Sequence, residues 1–131
     1  MLRRDFIMVQ IEELGKVIAQ IISFRNTSSA HRIPELIQDV HDTLDISRDF
    51  LMNTAPDDIR RFLDKEDSGG ILRMEIAVKA LMEESYLLPD QQRGMLLRAK
   101  ELLEYIQQTD KTFSLERIAL IKGIEDALKE I

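Results

Sequence analysis

A chain of 131 residues can build one hydrophobic core but not two, so a single folding unit is expected. Apolar residues at 44% exclude a disordered chain, while aromatics at 5%, with 5 glycines and 3 prolines, argue against a strand-rich fold. A formal net charge of −6 disfavours a surface that neutralises nucleic-acid phosphates or coats an anionic membrane, and the absence of cysteine excludes disulfides, thiolate metal sites and cysteine nucleophiles.

The first predicted helix covers residues 5–25, with Asp5 as its cap candidate and the polar run Asn26-Thr27-Ser28-Ser29 after its end. At about 100° per residue, Glu12, Glu13, Lys16, Gln20 and Ser23 form one polar stripe. Nearly all the rest is apolar, so this helix is expected either at the centre of the fold, packed by the second and fourth helices, or in an interface. The second reading assigns Met8, Ile11, Ile22 and Phe24 to docking on a second copy of the chain. Glu12, Glu13 and Lys16 would each cost about 2.5–3.5 kcal/mol at a bilayer centre, which argues against a membrane span. The segment also lacks an uninterrupted apolar stretch followed by a small-residue cleavage site, so a cytoplasmic setting is expected.

A second helix is expected over 33–53, opened by Ile33-Pro34, with Ile33, Leu36, Ile37, Val40, Leu44 and Leu51 as its buried stripe. Thr54-Ala55-Pro56-Asp57-Asp58 then reads as a hydroxyl cap, a first-turn proline and two acids for a short helix over 56–64. The loop from Lys65 to Gly70 leads into a helix over 70–87, apolar on two sides and suited to a place between layers. Pro89 breaks the chain before a cleanly amphipathic helix over 90–108, with Met95, Leu96, Ala99, Leu102, Leu103 and Ile106 on one face. Ser114 caps the last helix, 114–131.

Six helical segments with short connections predict an all-α fold of antiparallel hairpins stacked as a tetratricopeptide-like array, with an up-down helical bundle as the alternative. Ala77, Ala80 and Ala99 are the small residues expected where helices cross closely.

The opening Arg4-Asp5-Phe6-Ile7-Met8, the Asp67-Ser68-Gly69-Gly70 ahead of a Leu/Ala helix, and Lys111-Thr112-Phe113-Ser114-Leu115-Glu116 before the last helix carry a family likeness. Across most of its length the chain resembles an uncharacterised family of small bacterial all-helical proteins with tetratricopeptide-like helices. The resemblance implies an all-helical fold and a bacterial, intracellular setting, and transfers no catalytic residue. The chain departs from such repeats at Leu87-Leu88-Pro89-Asp90, where a Gly-Asp or Gly-Asn turn is usual.

Chemistry-bearing groups are few. No glycine-rich phosphate loop, HExxH or GxSxG is present. His41 and Asp45, four residues apart on a predicted helix, could share a metal ion, but zinc needs three or four ligands and Gln38 stands where a di-iron Glu-x-x-His motif requires glutamate. The acid pairs Glu12-Glu13, Asp57-Asp58 and Glu83-Glu84 diverge around a helix and read as solvated faces. Arg3-Arg4 and Arg60-Arg61 lack the interleaved aromatics of a nucleic-acid footprint.

The expectation is therefore a non-enzymatic helical-repeat protein without cofactor, binding a protein or peptide in the groove between hairpins, with no nucleic-acid or membrane partner. Arg73, Glu84, Tyr86, Arg98 and Tyr105 are the candidate partner-binding residues, as polar groups on inner helix faces. Two alternatives are a small metal-binding bundle or enzyme built on His41 and Asp45, and a homodimer with a structural role.

Overall fold

The computed structural model describes residues 2–131, with side chains from Phe6 onward. Among the described residues there are helices and connecting loops and no strand, in the order α1 (Leu2–Phe24), a 3-10 turn (Ala30–Arg32), α2 (Ile33–Leu44), α3 (Arg48–Asn53), α4 (Pro56–Asp64), α5 (Gly70–Ser85), α6 (Gln92–Thr109) and α7 (Leu115–Lys129). The all-α class expected from sequence is the observed one. No helix among the described residues is long and apolar enough to cross a membrane.

Local chemistry explains most boundaries. Ser114 is the N-cap of α7, its Oγ accepting the Arg117 N–H at 3.1 Å. Pro56 occupies the first turn of α4, where its missing N–H leaves no gap, and Asp57 and Asp58 sit at the positive end of the helix. The cap there is Ala55 and not Thr54, which ends α3. Gly69 precedes α5, and Gly70 lies so near α4 that a Cβ would meet the Arg60 carbonyl at 2.4 Å. Its N–H instead donates to Asp64 Oδ1 at 3.0 Å.

Three sequence expectations are corrected. The helix expected over 33–53 is two helices, because Asp45 turns left-handed at φ 59° and Ser47 opens α3 with its Oγ accepting the Phe50 N–H. Aspartate tolerates that conformation, and serine rewards the restart with a cap. Secondly, α1 already runs from Leu2, so Asp5 lies within the helix; its side chain and those of Arg3 and Arg4 are outside the described residues. Thirdly, the innermost helix is α5. It packs against α1, α2, α4 and α6, and Leu72 is its only exposed residue.

Packing around α5 builds the core. Met74, Ala77, Val78, Ala80 and Leu81 are fully buried, as are Ala99, Leu102, Leu103 and Ile106 of α6, and the alanines sit in the helix pair with the most extensive contact. α1 contributes Ile7, Leu14, Ile18 and Ile21, and packs chiefly against α2 and α5. Each such large aliphatic side chain taken from water is worth about 1.5–3 kcal/mol.

Arginines tie the helix ends together. Arg117, 6% exposed, donates to Glu75 on α5, Gln107 on α6 and Asp110 in the loop before α7. Arg98 on α6 donates to the carbonyls of Leu51 and Thr54, satisfying the C-terminal end of α3 that has no helical partner. Thus the chain that follows the break at Asp45 is tied to α6 through Arg98.

Candidate functional site

The five inner-face polar residues expected to bind a partner stand in different places, and most are engaged within the chain. Arg73 is 3% exposed and donates to Gln10 Oε1 at 2.8 Å, to the Leu63 carbonyl at 2.9 Å and to both oxygens of Asp67. This guanidinium holds the Asp67 carboxyl down to about 2, with the Gly69 N–H helping. Arg98 caps α3. The Tyr105 hydroxyl donates to Asp57 at 2.7 Å and accepts from Arg60 at 3.0 Å, and the two together keep Asp57 below the usual carboxylate range. Tyr86 is exposed, with the Arg25 guanidinium 5.4 Å above its ring. Glu84 Oε2 accepts from Arg48 at 3.0 Å.

The other Glu84 oxygen is buried and has no hydrogen-bond partner, and the same holds for Nε2 of the buried His41. Both residues wall a small hollow of about 280 Å³ with Ser47 and Arg48. Burial pushes the His41 imidazole below its ordinary value, against the pull of the Glu84 carboxylate, while Arg48 adds to the lowering. The metal pair drawn from sequence is not formed: Asp45 leaves the helix as its left-handed cap, so it no longer shares a face with His41. Among the described residues no three His, Cys, Asp or Glu side chains come together as a metal site. Ser47 Oγ accepts the Phe50 N–H at 3.1 Å, the bond that caps α3.

A hollow of about 540 Å³ lies beside Phe6 and is walled by Gln10, Asp67 and Arg73, whose polar groups bond to one another. A second of about 490 Å³ has the same character: its Arg25–Glu83 pair, with Arg25 Nε 2.7 Å from Glu83 Oε1, is already closed. Neither presents an unused polar group of that network to a ligand.

A different situation holds beside α1. α1 and α7 flank α5 without packing extensively on each other, which leaves a groove with α5 as its floor. Its two lobes, about 280 and 170 Å³, share Lys79 and Glu116, whose ion pair at 2.9 Å bridges the groove from floor to wall. The α1 wall includes Ile11, Gly15, Ala19 and Ile22; α5 supplies Leu72, Ile76 and Met82; α7 supplies Leu120. Met8 continues the α1 line and is 54% exposed, Ile22 45% and Leu72 41%. A Cβ built on Gly15 would meet nothing within 4 Å.

Of the four residues assigned from sequence to self-association, Met8, Ile11 and Ile22 fall on this line. Phe24 falls elsewhere, partly buried against the core with Arg32 5.4 Å from its ring. Gly15, Ala19, Leu72 and Leu120 were missed by sequence reasoning. The spacing of Met8, Ile11, Gly15, Ala19 and Ile22, in steps of three and four, was the available signal, since such steps keep one helix face.

The chain matches no protein-family model, no curated protein and no solved structure.

Proposed function

We propose that this chain is a non-enzymatic helical-repeat protein that recognises an amphipathic helical segment of a protein or peptide partner in the groove between α1 and α7. The supporting observation is the uncovered apolar line from Met8 to Ile22, which at 1.5 Å per residue runs about 21 Å, or about four turns of a docked helix. Affinity would come from apolar anchors entering between α1 and Leu120, and the Lys79–Glu116 pair would select among partners by charge. The consecutive pairing of α4 with α5, α5 with α6 and α6 with α7 is compatible with a tetratricopeptide-like array, and the family resemblance points the same way. A bacterial, cytoplasmic setting belongs to this reading.

The test is a photo-activated cross-linking residue placed at Ala19, on the groove, or at Gly94, an open position on α6, in cells that naturally make the protein. Covalent protein adducts at Ala19 and none at Gly94 are expected. Equal labelling at both, or none at either, would overturn the groove reading.

A further inference from the structure

We propose that the hollow between the end of α2, the start of α3 and the end of α5 binds a protonated primary amine, which donates to His41 Nε2 and Glu84 Oε1. The hollow shares no lining residue with the groove between α1 and α7, so this inference stands apart from the reading above. The carrying observation is a pair of buried polar atoms on two packed helices, each without a hydrogen-bond partner, whose residues wall one hollow of about 280 Å³. His41 is 5% exposed.

A buried acceptor left unpaired is costly, so a ligand that brings a donor to it gains more than one that bonds at an exposed site. Glu84 Oε2 already accepts from Arg48, which leaves Oε1 as the unused oxygen of the carboxylate. The neutral imidazole offers Nε2 as a second acceptor when its proton stands on Nδ1, and a donating ligand selects that tautomer. Two acceptors on one hollow call for two donors: a primary ammonium has three, whereas a hydroxyl has one. The third is left for Ser47 or Asp49, which line the same hollow.

Charge points the same way. The carboxylates of Glu84 and Asp49 outnumber the single guanidinium of Arg48, so an anion would be repelled. A metal ion would lack ligands, since among the described residues no three His, Cys, Asp or Glu side chains gather. The volume admits a short alkyl chain behind the ammonium, with Ile46 as its apolar contact. Arg48 is 33% exposed, so entry displaces a side chain already partly in water and moves no helix. A lysine end and a free diamine share this chemistry.

The experiment follows both imidazoles of the full chain by proton–nitrogen correlation NMR at about pH 7.5, where the His41 ring is neutral. His31, whose Nδ1 lies 2.9 Å from the Ser28 carbonyl, is the internal control. Added n-butylammonium should move the His41 Nε2 resonance and leave His31 still, and n-butanol should move neither. By calorimetry, Glu84→Gln and His41→Leu should each raise the Kd for n-butylammonium about 10-fold or more. Asp58→Asn, which removes an exposed acid on α4, should leave it unchanged. Circular dichroism checks that each variant stays helical. Putrescine and Nα-acetyl-lysine methylamide then separate the two sources: tighter binding of the first assigns a free diamine and of the second a lysine end, and either supports the site.

A His41 resonance unmoved at about 10 mM n-butylammonium overturns the inference. An equal response to n-butanol overturns the charged class of ligand. Equal weakening by Asp58→Asn reduces the binding to diffuse attraction by a chain of net charge −6 and removes the site. Should both site variants lose their fold, the contrasts between His41 and His31 and between amine and alcohol in the wild type still decide the outcome.

Discussion

α1 and α5 are alike in sequence, each apolar around much of its circumference, but α5 is enclosed by four helices and α1 is covered on one side. The difference shows in their polar residues. On α5 Arg73, Glu75, Lys79, Glu83 and Glu84 each bond to another segment, whereas on α1 Glu12, Glu13, Lys16 and Gln20 face solvent. A two-sided apolar helix is thus explained in one case by neighbours on every side, and in the other by a face left uncovered. Buried ion pairs hold α5 in register, while α1 spends the same kind of surface on a groove.

Substitutions that break this contrast should be felt most at the centre. Arg73→Met removes a buried guanidinium and strands Asp67, Gln10 and the Leu63 carbonyl; a loss of about 3–5 kcal/mol is expected in urea unfolding, against less than about 0.5 kcal/mol for Lys16→Met on α1. Leu81→Ala, at a fully buried position of α5, should cost about 2–5 kcal/mol by the same measurement, and Met8→Ala on α1 within about 0.5 kcal/mol under monomeric conditions. Gly70→Ala should cost about 1–3 kcal/mol, because its Cβ would meet the Arg60 carbonyl and Asp64 at 2.4 Å.

Acid sharpens the comparison further. The folded His41 imidazole is held below its ordinary pKa, so both states are neutral and stability is full above about pH 6.5. Below that the unfolded chain binds a proton that the folded chain refuses, and stability should fall with pH until the buried ring protonates. Denaturation midpoints at about pH 7.5 and about pH 5.5 should differ for wild type and differ less for His41→Leu. Asp67 acts lower still: its depressed pKa contributes stability that is full above about pH 4 and is lost as pH falls towards about 2. The smallest effect belongs to α1. Gly15→Ala meets no neighbour and should raise the melting temperature of the dilute protein through a gain of up to about 1 kcal/mol in helix propensity.

Particular residues show how far sequence reasoning reached. The α6 stripe from Met95 to Ile106 is buried as its spacing foretold, and Ser114 caps α7, since periodicity and capping act over three or four residues. The break at Asp45 went unseen because no glycine or proline marks it; Ser47 with Asp49 two residues on was the faint cue. For the site, Met8, Ile11 and Ile22 were legible as apolar excess, but their opposing wall at Leu120 lies about a hundred residues away in the chain. Arg73 and Arg98 read as free recognition groups when only their helix face was known. Their bonds to Asp67, Leu63, Leu51 and Thr54 come from loops and neighbouring helices that no helical spacing encodes.

What the sequence determined by itself is the all-helical class and the inward face of α6, because backbone hydrogen bonding and side-chain periodicity are properties of a short stretch of chain. Which of two equally oily helices would be enclosed, which arginines would turn inward, and where a groove would stay open were decided only by tertiary structure. Burial is a relation between segments distant in sequence, and an apolar face looks the same in one dimension whether a helix covers it or not.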